Sequence, residues 1–177
     1  ARYARRADKF TATVDSVPAD RWDDQSPCEQ WTARQVVEHV AANTGVFLES
    51  VGEPPPPLPP VAVDPAATWR ASDRAARAAL ADPALANREF DGYFGRTTLA
   101  NAIDAFLSFD LVVHRWDLAR ATGQDGRLDP EEIDQIRAAA AAFGPALRSA
   151  SVCGPALEVP ADADTQTALL AFLGRRG

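Results

Sequence analysis

One stretch constrains the fold more than any other. From about Thr98 to Thr122 the chain is apolar almost all the way round a helix, yet it carries a carboxylate and an imidazole in its middle. At about 100° per residue, Ile103, Phe106, Leu107, Asp110, His114, Asp117, Leu118 and Ala121 share one face. Phe109, Val112, Val113 and Trp116 fill the neighbouring positions. A helix that is apolar on nearly every side must be enclosed by others. Gly123 closes it as a C-cap. Asp110 and His114 are an i,i+4 pair, so their side chains stack on one side. A buried carboxylate costs several kcal/mol unless something compensates its charge.

The rest of the chain supplies the enclosing helices. Tyr3, Ala7, Phe10, Val14 and Val17 form one apolar stripe that Pro18 ends. Thr32-Ala33-Arg34-Gln35 reads as a capping box, with Trp31 and Val36 placed for a hydrophobic staple. That helix runs on through Val36, Val37, Val40, Phe47, Leu48 and Val51. Glu53 to Pro60 reads EPPPPLPP, an extended polyproline segment that serves either as a stiff crossover or as a ligand for a proline-binding module. Asp64-Pro65 starts a helix through Trp69, Ala76 and Leu80 that ends before Pro83. Residues 84–97, with Phe90, Tyr93 and Phe94, fit a short strand or an aromatic-lined loop equally well. Asp129-Pro130-Glu131-Glu132 opens a further helix carrying Ile133, Ile136, Ala140 and Phe143. A last one begins near Asp162 and includes Leu169, Leu170 and Leu173. The expectation is an all-α protein, a single domain over residues 1–177.

Charge and cysteine usage narrow the function classes. A net charge of −7 argues against nucleic acid and against anionic membranes. No apolar stretch approaches the ~20 residues that span a bilayer. Two unspaced cysteines, Cys28 and Cys153, give no disulfide framework and lead us to expect a cytoplasmic location. The start Ala1-Arg2-Tyr3 has neither methionine nor a leader pattern, and a processed chain is expected. A chain of 177 residues buries a core without a metal staple, so any metal serves chemistry.

The sequence has one other histidine, His39, which borders the core stripe of the capped helix. Spacing alone leaves two arrangements open. Asp110 and His114 form a buried ion pair with His39 at a core edge, or the three share a divalent cation, as helix bundles often arrange it. Three protein ligands leave a coordination position open. Asp117 either orients a ligating histidine or pairs with Arg115 or Arg120. Asn43, one turn after His39, lines the pocket or is a solvated helix position. Cys28, just before the capped helix, is a small buried hydrophobe or a thiol activated by the helix N-terminus.

Several stretches together resemble a known family. They are Ser26-Pro27-Cys28-Glu29-Gln30-Trp31-Thr32, Val36-Val37-Glu38-His39-Val40, Asp110-Leu111-Val112-Val113-His114-Arg115-Trp116-Asp117-Leu118-Ala119-Arg120-Ala121-Thr122-Gly123 and Leu169-Leu170-Ala171-Phe172-Leu173-Gly174-Arg175. They resemble the DinB-like superfamily, in its actinobacterial branch related to mycothiol-dependent maleylpyruvate isomerase. The resemblance implies a four-helix bundle with a long crossover connection and extra short helices. It implies a metal on His39, Asp110 and His114. The family usually carries glutamate where this chain has Asp110, one methylene shorter. Isomerases of the family carry a further C-terminal domain, and this chain is expected to lack it and the isomerase reaction with it.

The resemblance implies a metal-dependent enzyme in which a low-molecular-weight thiol, mycothiol-like, attacks a small electrophile. Zinc is the first expectation, and nickel, iron or manganese accept the same donors. Two other readings stay open: a hydrolase using metal-activated water, and a non-enzymatic, stress-associated bundle with a degenerate site. A homodimer is expected by analogy.

Overall fold

A computed structural model describes residues 2–148 and 153–176. The protein is the expected all-α, DinB-like bundle with a long crossover and extra short helices. The chain falls into two compact units, Ala1–Gly126 and Arg127–Gly177.

The first unit is built on four long helices: α1 (Arg2–Asp15), α2 (Ala33–Ser50), α3 (Pro65–Ala81) and α6 (Ser108–Thr122). Between α3 and α6 lie two short helices, α4 (Pro83–Ala86) and α5 (Leu99–Ala102), and a β-hairpin of β1 (Glu89–Gly92) and β2 (Gly95–Thr98). Helix α1 packs on α6 and α3, and α2 packs on α3 and α6, so α1 and α2 stand at opposite corners. Tyr3, Phe10, Val14, Val36, Val37, Trp69, Leu111 and Leu118 meet in the middle. Phe10 and Trp69 pack edge to face at 4.8 Å, and the Trp69 indole N–H donates to Thr11 Oγ1 at 2.8 Å. A buried indole donor thus finds its acceptor inside the bundle.

Local chemistry sets the helix ends. Thr32 N–H donates to Gln35 Oε1 at 2.9 Å, and Gln35 N–H donates to Thr32 Oγ1 at 3.4 Å, which completes the capping box of α2. Asp64 caps α3 ahead of Pro65. Gly123 ends α6 with φ of 73°, the left-handed conformation that glycine adopts without strain. The helix read as continuous from 98 to 122 is interrupted: Ile103–Leu107 is a π-helical turn, where the Ser108 N–H reaches back to Ile103 O. The buried guanidinium of Arg6 donates to Ser108 O at 2.8 Å beside this turn.

The proline run is strapped to its own bundle. A Cβ on Gly45 of α2 would come within 3.0 Å of Pro55 Cβ, so glycine there permits the close approach. Thr68 Oγ1 donates to Pro59 O at 2.9 Å. Arg34 Nη1 donates to the carbonyls of Val61 and Ala62, each at 3.1 Å. The ambiguous stretch 84–97 resolves as α4 and the hairpin, with Phe90 paired to Thr97 across it. Tyr93 and Phe94 sit at its tip.

The second unit holds α7 (Pro130–Phe143), a 3-10 turn (Gly144–Arg148) and α8 (Thr165–Phe172). Helix α8 starts three residues after the expected Asp162, because the Asp164 carboxylate caps it by accepting from Gln166 N and Thr167 N, each at 3.0 Å. Leu157 N–H donates to Ala171 O at 2.9 Å, which ties the extended approach to α8. Among the described residues no helix is long and apolar enough to cross a membrane.

Candidate metal centre

Two helices of the first unit, far apart in sequence, bring the predicted residues together. His39 and Asn43 project from successive turns of α2, and Asp110 and His114 from successive turns of α6. One ligand atom each from His39, Asp110 and His114 lies within 4.8 Å of the others. His39 Nε2 stands 3.6 Å from Asp110 Oδ2, and both side chains are 27% exposed, so the cluster is open to solvent on one side. His114 is buried. The two imidazoles meet edge to face, with centroids 4.9 Å apart.

Asn43 stands beside these groups on α2. Its amide Nδ2 donates to Asp110 Oδ2 at 2.6 Å and lies 3.3 Å from His39 Nε2. An amide thus stands beside the two atoms that a cation would bind in these residues. For a tetrahedral ion with bonds of about 2.0–2.1 Å, neighbouring ligand atoms stand about 3.3–3.4 Å apart. The 3.6 Å between His39 and Asp110 is close to that spacing. Two imidazoles, one carboxylate and an open side fit a divalent ion with room for a further ligand.

Electrostatics agree with an ionised carboxylate. Burial pushes the Asp110 carboxyl up. The contact with His39, the charges of His114 and His39 and the Asn43 amide outweigh that and hold it below the ordinary aspartate value. Asp110 and His114 are therefore not an isolated ion pair; His39 and Asn43 share the carboxylate.

Behind His114 lies a second layer that spacing left undecided. Asp117 is fully buried, and its Oδ2 is 2.9 Å from His114 Nδ1. The same oxygen accepts from the Cys28 thiol at 3.3 Å. The carboxylate fixes a proton on Nδ1, which leaves Nε2 as the nitrogen with a free lone pair. Cys28, His114 and Asp117 also have ligand atoms within 4.8 Å of one another, a second metal-capable group that shares the His114 imidazole.

The loop before α2 contributes more than its sequence announced. Trp31 lies over both imidazoles, 4.4 Å from the His39 centroid and 5.6 Å from that of His114. Gln25 Nε2 reaches the carbonyls of Ser26, Cys28, Glu29 and Trp31 at 2.9–3.2 Å. One amide thus gathers the loop that carries both Cys28 and Trp31. The position of Trp31 next to the Thr32 cap was the available signal, but loops have no periodicity from which to aim a ring.

With this geometry in hand, the comparisons decide the family. The model of the mycothiol maleylpyruvate isomerase N-terminal domain matches residues 3–119. The chain belongs to this family. The match spans α1 through most of α6 and so contains His39, Asn43, Asp110, His114 and Asp117. Two full-length relatives are proteins of Mycobacterium tuberculosis, "Uncharacterized protein MT0763" of strain CDC 1551 and "Uncharacterized protein Rv0738" of strain H37Rv. Each is 33% identical over 182 aligned residues, covering 98% of this chain and 95% of the relative. No solved structure matches the chain.

Proposed function

We propose that the chain is a divalent-metal enzyme of the mycothiol-dependent type. In this reading His39, Asp110 and His114 hold one ion, and a low-molecular-weight thiol is joined to a small electrophile. The carrying observation is the convergence of two imidazoles and an ionised carboxylate within 4.8 Å at a solvent-open point between α2 and α6. Membership of a family named for mycothiol supports the choice of thiol. Zinc is the first expectation for the ion, with nickel, iron or manganese compatible with the same donors. When bound, such an ion supplies the positive charge that brings a thiol's pKa toward neutrality.

The chain's own residues have distinct tasks in this reading. Asp117 holds the His114 ring in one tautomer. Trp31 packs against both imidazoles. Asn43 donates to the Asp110 oxygen, and its amide is free to turn to an incoming ligand when a cation takes its place. Asp110 is one methylene shorter than the glutamate usual in the family, and the Asn43 contact holds it toward His39.

Metal uptake followed by thiol conjugation tests this. Metal-free protein is expected to take up one ion per chain and then to consume thiol and electrophile together. Asp110→Ala is expected to weaken ion binding by more than the roughly 10–100-fold that loss of an outer partner costs, together with a modest loss of stability in the metal-free protein. A wild-type chain that takes up no ion, or an Asp110→Ala variant that loses stability without any effect on the ion, overturns the reading.

A further inference from the structure

The contacts between α2 and α6 follow a fixed antiparallel register. His39 meets His114, Asn43 meets Asp110, and Phe47 meets Phe106. Each step of four residues up α2 is matched by a step of four down α6 and into the π-helical turn Ile103–Leu107 that precedes it. Four residues of α2 advance about 6 Å, so the Phe47–Phe106 layer is the next layer of the same seam after the Asp110 carboxylate. The rings continue outward from it. Phe106 lies 5.9 Å from Phe47 and 5.8 Å from Phe94, the latter pair within 6° of parallel. Tyr93 meets Phe94 edge to face at 5.0 Å. The hairpin that carries these two rings is fixed by β1–β2 pairing and by the Arg96–Glu89 ion pair at 2.8 Å.

The outer rings are not core. Tyr93 is 75% exposed and Phe94 55% exposed. Aromatic side chains held in water forgo the burial that ordinarily places them. The seam therefore runs from a polar cluster with an open side, through one amide–carboxylate layer, to a series of three stacked rings with Tyr93 edge-on at its outer end.

We propose that this aromatic layer of Phe47, Phe106, Phe94 and Tyr93 is the specificity subsite of the centre, and that it takes the planar aromatic body of a molecule whose polar head lies at His39, Asp110 and His114. The inference rests on the metal reading above and adds the substrate class: an aromatic electrophile, not a small aliphatic one. One layer of separation matches a ring joined directly to its polar head. Contact with the exposed outer rings favours planar π-systems over branched aliphatic groups.

Hydroxamates test it, because their head binds metal and their body can be varied. Calorimetric titration of the full-length, zinc-reconstituted protein compares acetohydroxamate with benzohydroxamate. The aromatic compound is expected to bind about ten-fold more tightly. Phe94→Ala and Tyr93→Ala, at exposed positions where folding is not at stake, are expected to reduce that ratio toward unity, with zinc content and acetohydroxamate affinity unchanged. Phe106→Leu keeps the volume and is expected to do the same. Equal affinities for the two hydroxamates in the wild type overturn the subsite while leaving the metal centre standing, as does a preference that survives all three substitutions. A concentration-dependent dimer that Phe94→Ala abolishes also overturns it, since the rings then serve a second copy of the chain. A protein that takes up no zinc removes both readings and is told apart by its metal content.

Discussion

Asp117→Asn separates orientation of a ligand from its mere presence. Asp117 is fully buried and accepts from His114 Nδ1 at 2.9 Å and from the Cys28 thiol at 3.3 Å. Asparagine keeps the shape and removes the charge. Where its amide nitrogen faces the imidazole, Nδ1 must accept, and the ring proton moves to Nε2, the nitrogen that would bind an ion in the proposed reading. Where its oxygen faces the imidazole, the tautomer survives, but the Cys28 thiol must find another acceptor. Loss of a partner that orients a ligating histidine costs about 10–100-fold in metal affinity, or roughly 1.4–2.7 kcal/mol. Competition against a chromophoric zinc chelator measures it, with thermal unfolding of both metal-free proteins as the control for folding. A variant affinity within about three-fold of wild type refutes the claim that Asp117 holds His114 for a cation. So does a loss of affinity that only accompanies unfolding.

Two further outcomes follow from the same geometry. Thr32→Ala removes the capping box of α2 and is expected to cost about 0.5–2 kcal/mol in denaturant unfolding, with metal stoichiometry unchanged. The Asp110 carboxyl is held below its ordinary value of 3.8. Its contribution to the metal-free fold is therefore complete above that value and disappears as pH falls through the lower, folded pKa. Acid unfolding of metal-free wild type is expected to be steeper below pH 3.8 than that of Asp110→Asn, and identical profiles contradict the shift.

Much of this was legible in the residues because helices are periodic. A carboxylate and a histidine four apart in an apolar helix need the buried charge compensated, which left an ion pair and a shared cation both open, and the sequence offered one further histidine. The Thr32–Gln35 box and Gly123 marked helix ends through local hydrogen bonding alone, so no tertiary knowledge was needed. The π-helical turn at Ile103–Leu107 was not legible. No glycine or proline marks it, and the apolar pattern runs through it without a break. The hairpin was ambiguous because four-residue strands leave too few positions to show alternation. Cys28 and Asp117 each had an ordinary explanation when read singly. Only their meeting across the fold puts the Cys28 thiol and His114 Nδ1 on one Asp117 oxygen.

The hold of Gln25 on four carbonyls bears on how a molecule reaches the imidazoles. A flap swings on few attachments, whereas peeling this segment away breaks several hydrogen bonds together and drags the indole and the thiol along as one rigid piece. Replacing Gln25 would therefore loosen the indole and the thiol together.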